Sequence, residues 1–274
     1  MKKSFISTPY LLWIVIFNIV PLGMLLYYGL SVPSPNGVTF SMNNITKVVE
    51  PIYIKAMWRS IKLAGISTII CLILAYPLAL IFAKKSTSTS TMIFVFILPM
   101  WMNFLLRTYA WISILEINNG LLNTVLRFIN LPTLNIMSTS YAIVLGMVYN
   151  FLPFMILPIY NTLIKIDVSL LEAASDLGAN SLVAFLKVTL PLSIPGVISG
   201  ISMVFMPAVT SFVIPNLLGG GKINLIGNMI ENQFLANYDW HFGSSLSLIL
   251  MVIILITMAV LSRFENDDKE VSLC

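Results

Sequence analysis

Six long stretches without a charged side chain constrain this chain more than any other feature of its sequence. They cover residues 4–46, 63–83, 86–106, 128–164, 188–221 and 242–262. A helix needs about 20 apolar residues to cross the hydrocarbon core of a bilayer, and every stretch reaches that length. Because backbone groups in lipid must find hydrogen-bond partners within their own segment, the stretches predict transmembrane helices. The charged fraction agrees, since only 9% of residues are charged against about a quarter in soluble domains.

The stretches predict an all-α, polytopic membrane protein with six transmembrane helices. The expected spans lie near residues 9–30, 61–83, 92–115, 140–163, 191–213 and 242–262. One membrane domain is expected to cover 1–274. Six crossings place both chain ends on one side, together with Lys2, Lys3, Lys84 and Lys85. Because positive charges favour the cytoplasmic side, the N- and C-termini are predicted to be cytoplasmic.

Charge and cysteine usage give no indication of nucleic acid, metal or nucleotide in this chain. The net charge is +4 without a basic block, which does not suggest nucleic-acid binding. Cys71 lies within a predicted span and Cys274 at the chain end, so neither a disulfide framework nor a metal site is expected. The run from Gly219 to Lys222 lacks the spacing of a phosphate-binding loop and is interpreted as a turn.

The loop 165–190, between the fourth and fifth predicted spans, differs from the other loops. Ser169 and Glu172 have the spacing of a capping box, which would begin a short helix. Gly178 stands where a left-handed cap would end that helix, and Asn180 or Ser181 can begin a second one. Two short amphipathic helices joined at a glycine predict a compact knuckle outside the membrane. Such a knuckle is either a docking surface or simply a linker that lies on the membrane surface.

The same loop resembles the EAA loop of ABC importer permeases. The pattern is Glu172-Ala173-Ala174, then Gly178, Val188 and Leu190-Pro191; the family usually has isoleucine where this chain has Val188. The resemblance implies a type I ABC importer permease fold and a loop that couples the permease to an ATPase. The residues implied in ATPase coupling are Glu172, Ala173, Ala174, Asp176, Leu177, Gly178, Leu182, Leu190 and Pro191.

Segments outside the loop extend the resemblance. Residues 98–109, 152–160, 226–234 and 239–243 are similar to the spermidine/putrescine permease subfamily, and most to the first (B-type) of its two permease subunits. This implies polyamine import by alternating access across the inner membrane of a prokaryote. The implied partners are a homologous second permease, a cytoplasmic ATPase dimer, an extracytoplasmic polyamine-binding protein and membrane lipid. ATP and Mg would bind the ATPase, so this chain would be no enzyme.

Aromatic and acidic residues are candidates for the substrate pathway, because aromatic faces and carboxylates both attract ammonium groups. The aromatic candidates are Trp101, Tyr109, Trp111, Tyr149 and Tyr160, and the acidic ones at the outer mouth are Glu116, Glu231 and Asp239. The alternatives are membrane anchoring or packing for the aromatic rings and ordinary solvated charge for the carboxylates. Pro153, Pro158 and Pro207 are predicted to interrupt spans four and five and to free backbone carbonyls.

Arg107 is the one charge well inside a predicted span. Such a charge should face protein or a wet cavity and have a partner. Asn103 and Trp111 share its helix face at four residues' distance. Because a cation in the pathway would repel a polyamine, a structural role in subunit packing is expected for Asn103 and Arg107.

Two alternative functions remain open at this point. One is an ABC importer permease for another small solute, such as iron or an inorganic anion. The other is an ATP-independent carrier or a membrane enzyme, which would need histidine or carboxylate side chains within the spans. The sole histidine, His241, lies at a span edge, and no acidic residue falls within a span.

Overall fold

The structure is a computed structural model that describes residues 10–34, 37–83, 96 and 98–271, with side chains described through residue 263. The helices are α1 (Tyr10–Gly29), α2 (Asn43–Val48), α3 (Pro51–Ala83), α4 (Phe104–Leu115), α5 (Leu121–Phe128), α6 (Ser140–Leu163), α7 (Val168–Asp176), α8 (Ser181–Thr210), α9 (Val213–Leu218), α10 (Ile226–Leu235) and α11 (Trp240–Val271). A 3-10 turn covers Leu98–Trp101. The fold is mostly helical, as expected, with one small addition. Strands β1 (Ser31–Ser34) and β2 (Gly37–Phe40) pair antiparallel in a hairpin.

Among the described residues, five helices are long and apolar enough to cross a membrane, namely α1, α3, α6, α8 and α11. Helix α4 is apolar but has only 12 residues, which is about 18 Å of helix. The sequence predicted one continuous span over 92–115. That prediction is wrong for the described part, because α4 starts only at Phe104. Its N-cap is Asn103, whose side-chain oxygen accepts the Leu105 N–H at 2.8 Å. Residues 92–95 and 97 lie outside the described residues.

Three spans, α3, α6 and α8, form the core of the bundle. Small residues on α3, among them Ala64, Cys71, Ala75 and Ala79, are fully buried and let the backbones approach closely. Glycines do the same on α8, where a side chain at Gly196 would lie 2.8 Å from the Pro158 carbonyl oxygen of α6. The Tyr76 and Ser193 hydroxyls, 2.7 Å apart, join α3 to α8.

The remaining long helices, α1 and α11, pack mainly on each other. Gly29, at the end of α1, meets the Ser244 and Ser245 backbone of α11. The Ser245 hydroxyl donates to the Gly29 carbonyl at 2.7 Å. His241 lies at the edge of its span, as predicted, 2.9 Å from the Ser31 carbonyl oxygen. The loop between α6 and α8 lies at the opposite end of the bundle, which we call the knuckle end; the end with His241 is the far end.

Proline does not break the spans where the sequence predicted it would. Helix α6 runs through Pro153 and Pro158, and α8 runs through Pro207. Span five instead stops at Thr210, before Ser211 and Phe212, and continues after them as the short helix α9. The lysines that indicated membrane orientation, Lys2, Lys3, Lys84 and Lys85, lie outside the described residues.

Candidate functional site

The knuckle, defined here as residues 167–184, is a pair of short helices outside the bundle. Its first helix, α7, begins after Asp167, whose carboxylate accepts the Ser169 backbone N–H at 3.0 Å. The predicted capping box of Ser169 and Glu172 is therefore wrong. Asp167 already occupies the N-cap in extended backbone, so Ser169 falls inside the helix. Glu172 is exposed and, among the described residues, its carboxylate has no hydrogen-bond partner.

The cap also sets the protonation of Asp167. The Ser169 backbone N–H, and secondarily its hydroxyl, lower the pKa of the Asp167 carboxyl below its ordinary value. A lowered pKa means that the ionised cap stabilises α7 at every pH above the ordinary value. That stabilisation disappears only as the pH falls through the lowered pKa of the folded state. The knuckle should therefore keep its cap throughout the neutral range.

Gly178 ends α7 as the sequence predicted. Its φ is +81°, a left-handed conformation that favours glycine. Its N–H donates to the Ser175 carbonyl at 2.9 Å, and the Ala179 N–H donates to the Ala174 carbonyl at 2.9 Å. These two bonds are the Schellman motif, which satisfies the last carbonyls of a helix. No atom lies within 4 Å of the position that a side chain at Gly178 would take, so conformation rather than space requires glycine.

The second knuckle helix is the first turn of span five. Asn180 begins it, with its side-chain oxygen accepting the Val183 N–H at 2.9 Å. A π-helical turn over Phe185–Thr189 then leads into the main part of α8 without a loop. The Leu190 N–H reaches back to the Phe185 carbonyl, and Pro191, which has no N–H, follows immediately. The knuckle is thus covalently and helically continuous with a core span.

The residues implied in ATPase coupling lie at this end of the bundle, mostly on its surface. All of them are exposed except Ala174, which is half-buried. Leu177 is 89% exposed and Leu182 is 65% exposed, although both are large apolar side chains. Exposed apolar side chains rimmed by Glu172 and Asp176 are typical of a surface that binds a partner. Their role in coupling stays a prediction.

At the far end, α10 packs against the break in span five, residues Ser211 and Phe212 between α8 and α9, which we call the gap. A side chain at Gly227 would come within 2.6 Å of the Thr210 carbonyl oxygen and 2.8 Å of the Ser211 carbonyl oxygen, so only glycine fits there. The buried Asn228 amide donates to the Phe212 carbonyl at 2.8 Å, and its oxygen accepts the Leu225 N–H at 3.1 Å. The break in span five is therefore stabilised by close packing at Gly227 and by the hydrogen bond from Asn228.

Glu231 belongs to the same hydrogen-bond network. The Asn228 amide also donates to the Asn216 side-chain oxygen at 2.6 Å, and the Asn216 amide donates to the Glu231 carboxylate at 2.6 Å. A half-buried carboxylate thus belongs to the network that contacts the backbone after α8. A carboxylate in this position attracts cations and repels anions.

The structure separates the other predicted pathway residues. Asp239 is the N-cap of α11 and accepts the Phe242 N–H at 3.0 Å, while Glu116 is exposed just beyond α4. Trp111 and Tyr149 do meet, with ring centroids 5.3 Å apart in an edge-on contact. Trp101 and Tyr109 are 76% and 52% exposed, and Tyr160 packs against the core. None of these positions tests a role in transport.

Arg107 faces protein, as expected, and is only 9% exposed. Within the described residues, its Nε atom is buried without a hydrogen-bond partner. Asn103 is not that partner, because its side-chain oxygen caps α4. The structural role predicted for these two residues stays a prediction.

Sequence reasoning missed Asn216, Asn228 and the gap that they hold. One signal was present, since Asn216 is the only carboxamide side chain in the uncharged stretch 188–221. A carboxamide in an apolar segment needs hydrogen-bond partners. That requirement marks such a position as a place where the backbone is not a regular helix, although Asn216 itself is exposed in the structure.

Comparison with known proteins identifies relatives over almost the whole chain. Residues 4–265 match the family model described as "Binding-protein-dependent transport system inner membrane component". The chain is 38% identical to the spermidine/putrescine transport system permease protein PotB of Haemophilus influenzae, covering 92% of this chain and 90% of the relative. It is 36% identical to PotB of Escherichia coli K12, covering 92% of this chain and 93% of the relative.

Solved structures share the fold. One is the crystal structure of a bacterial ABC transporter that imports the acidic polysaccharide alginate, with a TM-score of 0.81 at 15% identity, covering 97% of this chain and 95% of that chain. A bacterial alginate ABC transporter in complex with an alginate pentasaccharide-bound periplasmic protein gives a TM-score of 0.78 at 16% identity. The match covers 97% of this chain and 92% of that chain. The methionine ABC transporter MetNI gives a TM-score of 0.60 at 16% identity, and the match covers 80% of this chain and 98% of that chain.

Proposed function

Because the chain belongs to the family of inner-membrane components of binding-protein-dependent transport systems, we propose that it is the polyamine permease subunit of an ATP-driven importer. The structural observation that carries the proposal is the exposed knuckle, which is capped at Asp167, turned at Gly178 and continuous with α8. A rigid element that joins a docking surface to a core span can pass a partner's movement into the membrane.

In this proposal the knuckle docks on a cytoplasmic ATPase, which binds ATP and Mg and performs hydrolysis. The N- and C-termini then lie in the cytoplasm, because α1 starts and α11 ends towards the knuckle end. A homologous second permease completes the pathway, and an extracytoplasmic polyamine-binding protein delivers substrate to the far end. This chain binds no nucleotide and forms no covalent intermediate.

Polyamines are the favoured substrate for two reasons. The relatives named for spermidine and putrescine align over nine-tenths of the chain. The far end also carries a carboxylate, Glu231, in the network that contacts the backbone after α8, and a carboxylate favours cations over anions. The test is to reconstitute the chain with its transport partners and measure ATP hydrolysis with spermidine, putrescine, ferric iron or phosphate. Stimulation by iron or phosphate alone would overturn the substrate, and polyamine uptake without the ATPase would overturn the mechanism.

Replacing Glu231 with glutamine is expected to raise the apparent Km for spermidine. One lost charge pair at about 4 Å in water is about 1 kcal/mol, or roughly fivefold. Glutamine keeps an oxygen for the Asn216 amide, so the network survives and only the charge is removed. The increase should be larger at low ionic strength, because salt screens exposed charges.

Glu116→Gln is the matched control, since Glu116 is also at the far end but outside the network. It should change the apparent Km less than Glu231→Gln does. Equal Km values for wild type and Glu231→Gln at low salt would reduce Glu231 to a structural ligand of Asn216. Asp239→Asn likewise removes a charge without removing a hydrogen bond, because asparagine retains the cap of α11.

Removing the cap of the knuckle is expected to weaken ATPase binding more than removing its charge. Asp167→Ala eliminates the hydrogen bond to Ser169, whereas Asp167→Asn keeps a good N-cap. ATPase pull-down should therefore rank wild type and Asp167→Asn together, above Asp167→Ala. Binding by the wild type should also be constant between about pH 5 and about pH 8, since the cap remains ionised there. Equal pull-down by all three proteins would show that the cap has no part in docking.

A further inference from the structure

Helix α5 presents an apolar stripe that nothing in the described chain covers. Leu121, Val125 and Phe128 are 65%, 49% and 88% exposed. Their spacing of four and three residues places them along one side of the helix. Asn123, on the opposite side, is completely buried. The orientation of the amphipathic helix is thus the opposite of that in a soluble protein, because the polar Asn123 faces the protein interior and the apolar stripe faces outwards.

The stripe is held rigidly. The Asn123 amide donates to the carbonyls of Glu116, Ile117 and Leu134 at 3.2, 3.3 and 3.1 Å. Its oxygen accepts the Leu134 N–H at 2.8 Å. One buried side chain therefore joins the end of α4, helix α5 and the segment that leads to α6. The exposure of the stripe is a fixed feature of the fold, because this fastening prevents α5 from rotating to bury it.

The position of α5 indicates what covers the stripe. The helix lies between the far-end terminus of α4, at Leu115, and that of α6, at Ser140. Helix α6 is long and apolar enough to cross a membrane, so its far end lies near the boundary of the bilayer. Tyr141, in the first turn of α6, is 80% exposed, and exposed tyrosines of this kind occur at membrane interfaces.

We propose that α5 lies in the outer membrane–water interface, with Leu121, Val125 and Phe128 inserted among lipid acyl chains. A soluble protein that docks and leaves would expose these three side chains to water in every cycle, whereas lipid is present at this level continuously. Arg127, whose guanidinium donates to the Ile117 carbonyl at 3.1 Å, lies beside the stripe at the depth of lipid headgroups. Through Asn123, the interface then fixes the far end of α4, the span too short to cross the bilayer alone.

Site-directed spin labelling of the assembled transporter in liposomes tests this proposal. Single cysteines replace Leu121, Val125 and Phe128 in a Cys71→Ala, Cys274→Ser background that retains transport. Arg127→Cys, which lies beside the stripe on the same helix, is the matched control. Labels on the stripe should collide with oxygen more than with a water-soluble nickel chelate, at a depth of about 5–10 Å. A label on Arg127 should show the reverse preference.

Each other outcome rejects the proposal. Nickel preference at all four positions would place α5 in water. Immobile labels that neither reagent reaches would indicate contact with the second permease. Oxygen preference that is lost when the extracytoplasmic binding protein is added would make the stripe its docking site. The transport proposal stands apart from all of these results, because it rests on the knuckle and on the far-end network.

Discussion

Replacement of Gly178 by valine is expected to abolish polyamine uptake while the chain remains in the membrane at its normal abundance. The φ of +81° at Gly178 costs an ordinary L-residue about 1–2 kcal/mol, and a β-branched one more. That cost is small for the whole membrane bundle but large for a knuckle of two short helices. The Schellman turn would open, and the two helices would no longer present one surface to the ATPase.

Gly37→Val is a closely matched control for strain. Gly37 has a φ of +122° and, like Gly178, has no atom within 4 Å of the position that a side chain would take, but it lies in the far-end hairpin. Membrane abundance, ATPase pull-down and uptake should be measured on the same preparations of both variants. Gly37→Val should retain ATPase binding. Wild-type uptake by Gly178→Val would reject the coupling assignment, and failure of that variant to insert would make the turn a folding element.

Cells that contain this chain and the ATPase, but no second permease, are expected to take up no polyamine. The chain supplies one knuckle, whereas an ATPase dimer offers two docking positions. Although α1 contacts α11, none of the most apolar part of α1 is buried among the described residues. A membrane protein that leaves a span so open on its own is suited to pack against another subunit.

The measurement is uptake of labelled spermidine with and without the second permease, at matched levels of this chain. Restoring the second permease should restore uptake fully. Uptake at the complete system's rate from this chain and the ATPase alone would show that it works as a homodimer. In that case two copies of the knuckle would fill both docking positions, and the homologous partner would be unnecessary.

Local signals were predicted well from sequence, because they need only a few neighbouring residues. Gly178 and Asn180 each fix one helix end through backbone conformation or a single hydrogen bond. The cap of α7 was assigned to Ser169 instead of Asp167. Both residue types accept hydrogen bonds from a helix start, so sequence alone could not choose between positions two residues apart.

Features that depend on distant contacts were not predicted. The gap at Ser211 and Phe212 persists because Gly227 and Asn228, on a later helix, meet its carbonyls. The prolines gave the opposite error, since helices in a packed membrane bundle tolerate Pro153 and Pro207 when their neighbours hold the backbone in place. The substrate pathway stays a prediction, because in the proposed assembly it depends on which faces of this chain meet a second subunit.

Because the second knuckle helix is continuous with span five, movement of the knuckle can be transmitted along α8. Its 30 residues extend about 45 Å at 1.5 Å per residue. A tilt of about 5° applied at the knuckle would therefore carry Thr210 sideways by about 4 Å. Thr210 is the last residue before the gap that Gly227 and Asn228 contact, and the Asn216 amide links Asn228 to Glu231. Because α8 also packs on α3 and α6, such a tilt requires these spans and α10 to move with it, so movement of the knuckle would be transmitted to the far end as a rearrangement of the whole core.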